Sequence, residues 1–402
     1  AARGFRPGRG GTSLMALMST YARLPVAFAR GEGVWLYDTE GCRYLDALAG
    51  IAVCGLGHSH PAVTRALQTQ AGQLLHTSNL YHIPAQEKLS DTLCAISGMD
   101  AAFFCNSGAE ANEAAIKIAR LHGHGKGIAE PQILVFSNAF HGRTLATLTA
   151  TGNFRIQEGF GPLVPGFVRA PYGDLHTVRA LVQANPGICA ILVEPVQGEG
   201  GVRPAPEGFL TGLREVCDAH ELLLMLDEVQ TGIGRTGAFF AYQQIPDLRP
   251  DVLSLAKGLG NGVPIGAMLA RQPTAALFGP GKHGTTFGGG PLVCAAAQAV
   301  LDTMQQEAIP AHAEQMGVLL RQRLRERLGQ HPEVVEVRGM GLMVGIELAH
   351  KPERLVERAL EAGLLINVTA ERVIRLLPPL ILQEAEIDLL VAGLASLLES
   401  AS

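Results

Sequence analysis

The sequence predicts a three-layer α/β fold, in which a mostly parallel central sheet lies between helices. Two observations support this prediction. Short apolar runs bounded by Gly and Pro, as in residues 222–226, are typical of buried parallel strands. Segments with helical spacing follow such runs, as in residues 101–120. We expect a large α/β domain over residues 61–292 and a smaller α+β domain over residues 293–402. Residues 1–60 are expected to contain a leader and a segment that becomes part of the smaller domain.

Composition excludes several classes of function. The chain has 402 residues, a hydrophobic content of 47% and a net charge of −5, which gives no electrostatic footprint for nucleic acid or for an anionic membrane. Seven cysteines without a CxxC pair favour reduced thiols and no disulfide framework. The pairs His58/His60 and His122/His124 have no Cys or carboxylate at ligand spacing, so no metal site is predicted.

The beginning of the chain is basic. The first 31 residues contain no acid, and their arginines stand at positions 3, 6, 9, 23 and 30. This composition is shared by transit peptides and disordered leaders, and a tag ahead of Met15 or Met18 would also explain it. No signal-type apolar core precedes Ala16. We therefore expect a cytoplasmic protein, with an organelle matrix as the alternative.

Two charged residues, Asp227 and Lys257, each close an apolar run. They are separated by 30 positions (257 minus 227), about the length of one βαβ unit. A buried lysine costs free energy unless it is bonded, and a Schiff base to an aldehyde cofactor is one solution, often with an acid beside a pyridine nitrogen. The alternative is a buried salt bridge. Glycines after the lysine favour the cofactor because they leave space for a planar ligand; they are Gly258, Gly260, Gly262 and Gly266.

An anion-binding turn is predicted between the strand and the helix of residues 101–120. The backbone N–H groups of Ser107, Gly108 and Ala109 would point at an anion from the helix N-terminus. A simple helix cap at Asn106 or Ser107 is the alternative. A nucleotide-binding loop is disfavoured because no lysine follows the glycine.

Two further strands end in residues of chemical interest. After the strand at 132–137, Phe140 could stack on a ring and Arg143 could hold a carboxylate, although a buried Phe and a solvated Arg remain possible. The segment 191–201 contains Glu194 and Glu199, for which charge balance is favoured over metal binding because no His or Asp follows at useful spacing.

The chain ends are predicted to be outside the central sheet. Residues 21–61 indicate short strands with a turn at Asp-Thr-Glu-Gly, and residues 76–81 indicate a surface loop. From Leu292 helical patterns lead to two short strands divided by Gly339 and Gly341. Beyond them Arg375 stands between apolar neighbours, and is either edge-exposed or buried with a carboxylate.

The motifs LLLMLDEVQTGIGRTG (from residue 222) and LSLAKGLGNGVPIGA (from residue 253) resemble the class III aminotransferases, and within them the acetylornithine branch. The resemblance runs from about Tyr21 to about Leu382. It implies the pyridoxal-phosphate-dependent transferase fold of type I and the cofactor pyridoxal 5′-phosphate. It further implies a homodimer with shared active sites, with residues 76–81 crossing to the partner's site.

The resemblance also implies how the cofactor is bound. Lys257 would carry it and act as the general base, and Asp227 would keep its pyridine nitrogen protonated. Phe140 and Val229 would enclose the ring, and Gln230 would reach its phenolic oxygen. The remaining cofactor contacts implied are Ser107, Gly108, Ala109, Glu194 and, from the other subunit, Thr286.

The substrates implied by the resemblance are N2-acetylornithine, 2-oxoglutarate and glutamate. Arg143 would hold the carboxylate far from the reacting carbon, and Arg375 the α-carboxylate of glutamate, with Glu199 masking Arg375 while the amine donor is bound. Tyr21 would sit at the substrate mouth, and Thr285 would also contact substrate.

Two departures from the family pattern concern substrate and loop. Ile51 stands where ornithine-specific relatives typically have Tyr, which counts against free ornithine as the donor, and Gly290 replaces an Asn found in most relatives. Ornithine, succinylornithine or 4-aminobutyrate aminotransferases and a decarboxylating relative remain alternatives. From another class, a non-catalytic binding protein with the same cofactor site is also possible.

Overall fold

The structure, a computed structural model, describes residues 16–399. Residues 1–15 of the basic stretch, with the arginines at positions 3, 6 and 9, lie outside the described residues. The strands of the described part are β1 (Phe28–Glu32), β2 (Trp35–Asp38), β3 (Arg43–Asp46), β4 (Ala101–Cys105), β5 (Gln132–Phe136), β6 (Phe167–Ala170), β7 (Ile188–Val193), β8 (Val196–Gln197), β9 (Arg203–Pro204), β10 (Leu223–Asp227), β11 (Val252–Leu255), β12 (Gly266–Ala270), β13 (Val334–Met340), β14 (Met343–Leu348), β15 (Leu364–Leu365), β16 (Asn367–Thr369) and β17 (Val373–Leu376).

Helices follow most strands of the middle of the chain. The α-helices of residues 16–399 are α1 (Ala49–Ala52), α2 (Pro61–Ala71), α3 (Pro84–Ser97), α4 (Gly108–Gly125), α5 (Leu145–Ala150), α6 (Leu175–Ala184), α7 (Phe209–His220), α8 (Pro291–Gln306), α9 (Ile309–Leu328), α10 (Leu355–Glu361) and α11 (Glu384–Glu399). Short 3-10 helices lie at Phe154–Ile156, Ala241–Gln244, Lys257–Leu259 and Thr274–Leu277.

The central sheet has seven strands in the order β4, β12, β11, β10, β7, β5, β6. Only β12 runs antiparallel to its neighbours, so the predicted mostly parallel sheet is confirmed. Strands β7, β10, β11 and β12 are buried along their whole length. Continuous apolar runs are what such strands require, because both of their faces are covered.

Helices cover both faces of this sheet. Side chains alternate across a strand, so Leu223 and Met225 of β10 pack in one apolar cluster together with α4. Leu224 and Leu226 point the other way, into a larger cluster that includes residues of α7 and α8. The fold is therefore three-layered, as the sequence predicts.

The two ends of the chain meet in one small sheet. It has the order β1, β2, β3, β15, and β15 pairs with β3 in parallel. A further sheet has the order β13, β14, β17, β16. The β3–β15 pairing supports the predicted division into a large domain over 61–292 and a smaller one built from both chain ends, which stays a prediction.

Two local predictions are wrong. The short strands expected over residues 21–61 end at Asp46, whose carboxylate accepts hydrogen bonds from the N–H groups of Leu48 and Ala49 and turns the chain into α1. The division between β13 and β14 lies at Gly341, which has a φ of +50°, whereas Gly339 is inside β13.

In the described part of the chain, no helix combines the length and apolarity needed to cross a membrane.

Candidate active site

Five chemically active residues follow five parallel strands and line one pocket. Ser107 follows β4, Phe140 follows β5, Glu194 follows β7, Asp227 ends β10 and Lys257 follows β11. The pocket has a volume of about 400 Å³. Open α/β sheets place their ligands at the carboxyl ends of the strands, because the strand ends converge there. The fold thus brings together residues that are up to 150 positions apart (257 minus 107).

Three donors hold the carboxylate of Asp227. The N–H of Val229 donates to Oδ1 at 3.0 Å, Nδ2 of Asn112 donates to Oδ2 at 2.8 Å, and Nδ1 of His141 lies 2.7 Å from the same oxygen. Asn112 and His141 are buried, and neither was predicted from the sequence. His141 directly follows Phe140 in the turn after β5. Its position next to a predicted ring-stacking residue is the sequence feature that could have indicated a role in the site.

Lys257 begins a 3-10 helix directly after β11. Burial of its amine lowers the pKa of Lys257 to about 8, and the positive charge of Arg375 acts in the same direction. The charges of Glu199 and Asp227 oppose this decrease. A lysine amine with a lowered pKa is available in its neutral, nucleophilic form close to physiological pH.

Glu194 links two loops of the pocket. One oxygen accepts a hydrogen bond from the N–H of Phe140 at 2.9 Å, and the other from the N–H of Gly198 at 3.2 Å. Burial raises the pKa of Glu194 to about 7. Its geometry is that of a carboxylate that positions the loops carrying Phe140 and Glu199.

The predicted anion-binding turn has the geometry of a helix N-terminus. Ser107 caps α4 by accepting the N–H of Glu110 at 3.2 Å, so the helix-cap interpretation is correct for this side chain. The first N–H groups of a helix have no partner within it, and those of Gly108 and Ala109 are in this position at the pocket wall. A Cβ on Gly108 would lie 2.6 Å from Cγ1 of Val229, so glycine is needed for this close packing.

Arg375 is buried with a carboxylate, one of the two environments that the sequence allowed. Its Nη1 donates to Oε1 of Glu199 at 2.5 Å, and its Nε donates to Oδ1 of Asn367 at 3.2 Å. The side chain of Arg375 is 1% exposed, whereas that of Glu199 is 35% exposed and lines the pocket. Glu199 thus stands between Arg375 and the pocket.

Four predicted site residues do not line the pocket of this single chain: Tyr21, Thr285, Thr286 and Arg375, which lies behind Glu199. Tyr21 is 74% exposed and Thr286 is also exposed. The hydroxyl of Thr285 accepts hydrogen bonds from Nδ2 of Asn106 at 3.3 Å and from the N–H of Gly288 at 3.2 Å. Substrate contacts of Tyr21 and Thr285, and cofactor contact of Thr286, stay predictions. Arg143, by contrast, lines the pocket.

The family model described as Aminotransferase class-III matches residues 17–398. This chain belongs to the class III aminotransferases. It is 54% identical over 384 residues to acetylornithine aminotransferase 1 of Bordetella bronchiseptica, covering 96% of this chain and 98% of that protein. The structure of acetylornithine aminotransferase from Elizabethkingia anophelis is 36% identical, with a TM-score of 0.85, covering 95% of this chain and 96% of that one. The structure of ornithine aminotransferase from Toxoplasma gondii ME49 is 34% identical, with a TM-score of 0.92, covering 96% and 93%.

Class III aminotransferases use pyridoxal 5′-phosphate, and the pocket of this aminotransferase fits that cofactor. Phe140 and Val229, the two residues predicted to enclose the ring, both line the pocket. Within the described residues, Oε1 of Gln230 is buried without a hydrogen-bond partner, as an atom facing a ligand would be. Asp227 is an oriented carboxylate of the kind that a protonated pyridine nitrogen requires, and the N-terminus of α4 has free N–H groups of the kind that bind a phosphate.

Proposed function

We propose that this enzyme transfers the terminal amino group of N2-acetyl-L-ornithine to 2-oxoglutarate, forming N-acetylglutamate 5-semialdehyde and glutamate for arginine biosynthesis. The observation that carries this proposal is the Glu199–Arg375 pair beside the pocket that contains Lys257. The identity of 54% to an acetylornithine aminotransferase, over nearly the full length of both chains, supports the donor.

The cofactor-binding residues have distinct tasks. Lys257 carries the cofactor through Nζ, and Asp227 holds a proton on the pyridine nitrogen. Phe140 and Val229 enclose the ring, Gln230 and Glu194 orient it, and the turn from Ser107 to Ala109 binds the phosphate. When bound, the cofactor supplies an electron-accepting ring that stabilises negative charge at the substrate carbon.

Two arginines and one movable carboxylate explain how one pocket accepts two different substrates. Acetylornithine has one free carboxylate, remote from the amine that reacts, whereas 2-oxoglutarate has two carboxylates. Arg143 lines the pocket and binds the remote carboxylate in each case. Glu199 covers Arg375 while the donor is bound and leaves it when the second carboxylate of 2-oxoglutarate arrives.

Lys257 also moves the proton that the reaction requires. When it is not bonded to the cofactor, its Nζ would be a free amine inside the pocket. The lowered pKa, about 8, places this amine close to the value at which a group accepts and returns protons readily near neutral pH. Lys257 would take the proton from the substrate carbon and hold it at Nζ until it is returned.

The active enzyme is proposed to be a homodimer with shared sites. Thr286 is exposed in the single chain, and large apolar side chains are exposed on the same loop and on the preceding 76–81 segment. Phe287 is 67% exposed, Leu80 86% and Tyr81 69%. A second copy would cover these side chains and receive Thr286 at its phosphate site.

Cytoplasmic location is proposed as well, supported by unpaired thiols at all seven cysteines, which lie within residues 16–399.

A titration of the purified, cofactor-loaded enzyme tests the proposed donor. N-acetylornithine, free ornithine and 4-aminobutyrate are added in parallel while the visible absorbance of the cofactor is followed. We expect N-acetylornithine to change the cofactor absorbance at a lower concentration than the other two amines do. Addition of 2-oxoglutarate should then restore the original absorbance. If free ornithine changes the absorbance at a lower concentration than N-acetylornithine does, the proposed donor is wrong, and the proposed chemistry of Lys257 stands.

A further inference from the structure

The loop of residues 198–202 lies between β8 and β9 and carries Glu199. Its backbone is strained at Val202. Gly201 has a φ of +103° and Val202 a φ of +50°. A positive φ is costly for a β-branched residue such as valine, because its side chain collides with the backbone. The surrounding structure must therefore supply interactions that hold this loop in place.

Arg338, on β13, supplies such interactions from outside the loop. Its Nε donates to the carbonyl oxygens of Gly201 at 3.1 Å and Val202 at 3.0 Å, and its Nη2 donates to Gly201 at 2.6 Å. Arg338 is buried. A planar guanidinium can serve both carbonyl groups at once, which a lysine ammonium on a flexible stem cannot reproduce.

The guanidinium of Arg338 is itself held by the carboxylate of Glu347. Oε2 of Glu347, on β14, accepts Nη1 of Arg338 at 2.5 Å, and Oε1 accepts Nη2 of Arg372 at 2.6 Å. Arg203 also contacts Oε2 at 3.1 Å. Burial alone would raise the pKa of Glu347, but the hydrogen bond and charge of Arg338, with the other two arginines, lower it. The carboxylate therefore stays ionised and keeps Arg338 oriented toward the loop.

The rest of the loop backbone is also held. Glu194 accepts the N–H of Gly198 at 3.2 Å, and the hydroxyl of Thr369 donates to the carbonyl oxygen of Glu199 at 2.7 Å. With the backbone fixed on both sides of Glu199, the side chain of Glu199 is the part of the loop that can leave Arg375. The fixed backbone sets the position to which the carboxylate returns.

We infer that Arg338, oriented by Glu347, is a positioning residue for substrate selection, because it holds the strained 198–202 loop so that Glu199 covers Arg375. This inference rests on the proposed function. Without Arg338 the loop relaxes, the cover over Arg375 loosens, and the pocket favours a substrate with an α-carboxylate beside the reacting carbon. Discrimination then shifts from acetylornithine toward glutamate.

The test compares two half-reactions of the cofactor-loaded enzyme by single-turnover kinetics, one with N-acetylornithine and one with glutamate. Arg338→Met should lower the ratio of the two specificity constants, acetylornithine over glutamate, by about tenfold. Arg372→Met is the matched control, because Arg372 shares Glu347 but makes no hydrogen bond to the loop. Its ratio should stay within about twofold of wild type. Arg338→Lys, which keeps the charge and most of the volume, should shift the ratio in the same direction by a smaller factor.

The possible outcomes separate the inference from the proposed function. An equal loss in both half-reactions, or a ratio for Arg338→Met equal to that of Arg372→Met, would overturn the inference and leave the proposed function standing. If the wild-type enzyme reacts with glutamate but prefers another donor, the proposed donor fails, and the ratio measured with that donor decides the inference. A wild-type enzyme that converts no amine would overturn both. If Arg338→Met does not fold, the ratio measured for Arg338→Lys decides the inference instead.

Discussion

His141 Nδ1 lies 2.7 Å from Oδ2 of Asp227, and both side chains are buried. Because a carboxylate accepts hydrogen bonds, this nitrogen carries the proton, and the imidazole orients the carboxylate that we propose for the pyridine nitrogen. The N–H of Val229 and the amide of Asn112 complete the set of donors. A carboxylate with three donors is held in one orientation.

His141→Gln should therefore weaken catalysis without abolishing cofactor binding. Loss of a hydrogen bond to a charged group costs about 1.5–3 kcal/mol, which corresponds to roughly a tenfold to hundredfold decrease in kcat. The measurement is kcat at saturating cofactor together with the cofactor dissociation constant. His124→Gln, at an exposed histidine, is the control and should behave like wild type. Equal kcat for the two variants would contradict the role of His141.

Lys257→Ala should abolish transamination. The substitution removes the amine that is proposed both to carry the cofactor and to act as the general base, so activity should fall by at least about a thousandfold. Lys351→Ala, at an exposed lysine, should retain wild-type activity. The readouts are kcat and the visible absorbance of the bound cofactor. Appreciable turnover by Lys257→Ala would show that another group moves the proton.

The residues at the strand ends were predictable because each of them closes or directly follows an apolar run. Ser107, Asp227 and Lys257 meet because parallel strands bring their carboxyl ends to one edge of the sheet. The contacts of Asp227 with His141 and Asn112 were not predictable, since they join positions 86 and 115 residues apart and depend on how α4 packs on the sheet.

The difference between local sequence patterns and contacts made by distant residues also explains the wrong and untested predictions. The short strands expected over residues 21–61 do not continue beyond Asp46, because the hydrogen bonds that its carboxylate accepts from two following N–H groups turn the chain into α1. Arg338 gave no signal in the sequence, because its importance comes from carbonyl oxygens that are 136 and 137 positions away. Tyr21 and Thr286 are exposed in the single chain, and their predicted roles require contacts that one chain does not provide.

Loading of the cofactor onto cofactor-free enzyme should depend on pH through Lys257. Only the neutral amine attacks an aldehyde, and burial lowers the pKa of Lys257 to about 8. The loading rate should rise with pH up to about 8, by roughly tenfold per pH unit below that value, and level off above it. Stopped-flow absorbance between about pH 6 and 10 measures this rate. A midpoint near the ordinary lysine value of 10.5 would contradict the effect of burial.

Glu199→Gln should change substrate preference because glutamine keeps the shape of the side chain but cannot neutralise Arg375. The α-carboxylate of glutamate would then meet an uncompensated arginine at all times. We expect the ratio of specificity constants, acetylornithine over glutamate, to fall by about tenfold or more. Glu207→Gln, at an exposed position, is the control. Unchanged constants for both substrates in Glu199→Gln would rule out the role of this carboxylate as a movable cover.

Shared active sites can be tested by mixing two inactive variants. Lys257→Ala lacks the amine in its own site, and Thr286→Ala lacks the hydroxyl that the proposed dimer donates to the partner's phosphate site. In a mixed dimer, one site contains both substitutions and the other contains neither. Denaturation and refolding of an equal mixture should therefore recover about a quarter of the wild-type active sites, since half of the dimers are mixed and each has one intact site.

The activity of the mixture is measured at low cofactor concentration, where the loss of Thr286 weakens phosphate binding most. Refolded samples of each variant alone serve as controls and should remain nearly inactive under this condition. Activity of the mixture that equals the mean of the two controls would mean that Thr286 serves its own chain's site or none. Recovery above that mean requires a site built from two chains, and this would also account for the exposed Phe287 and Leu80 around Thr286 in the single chain.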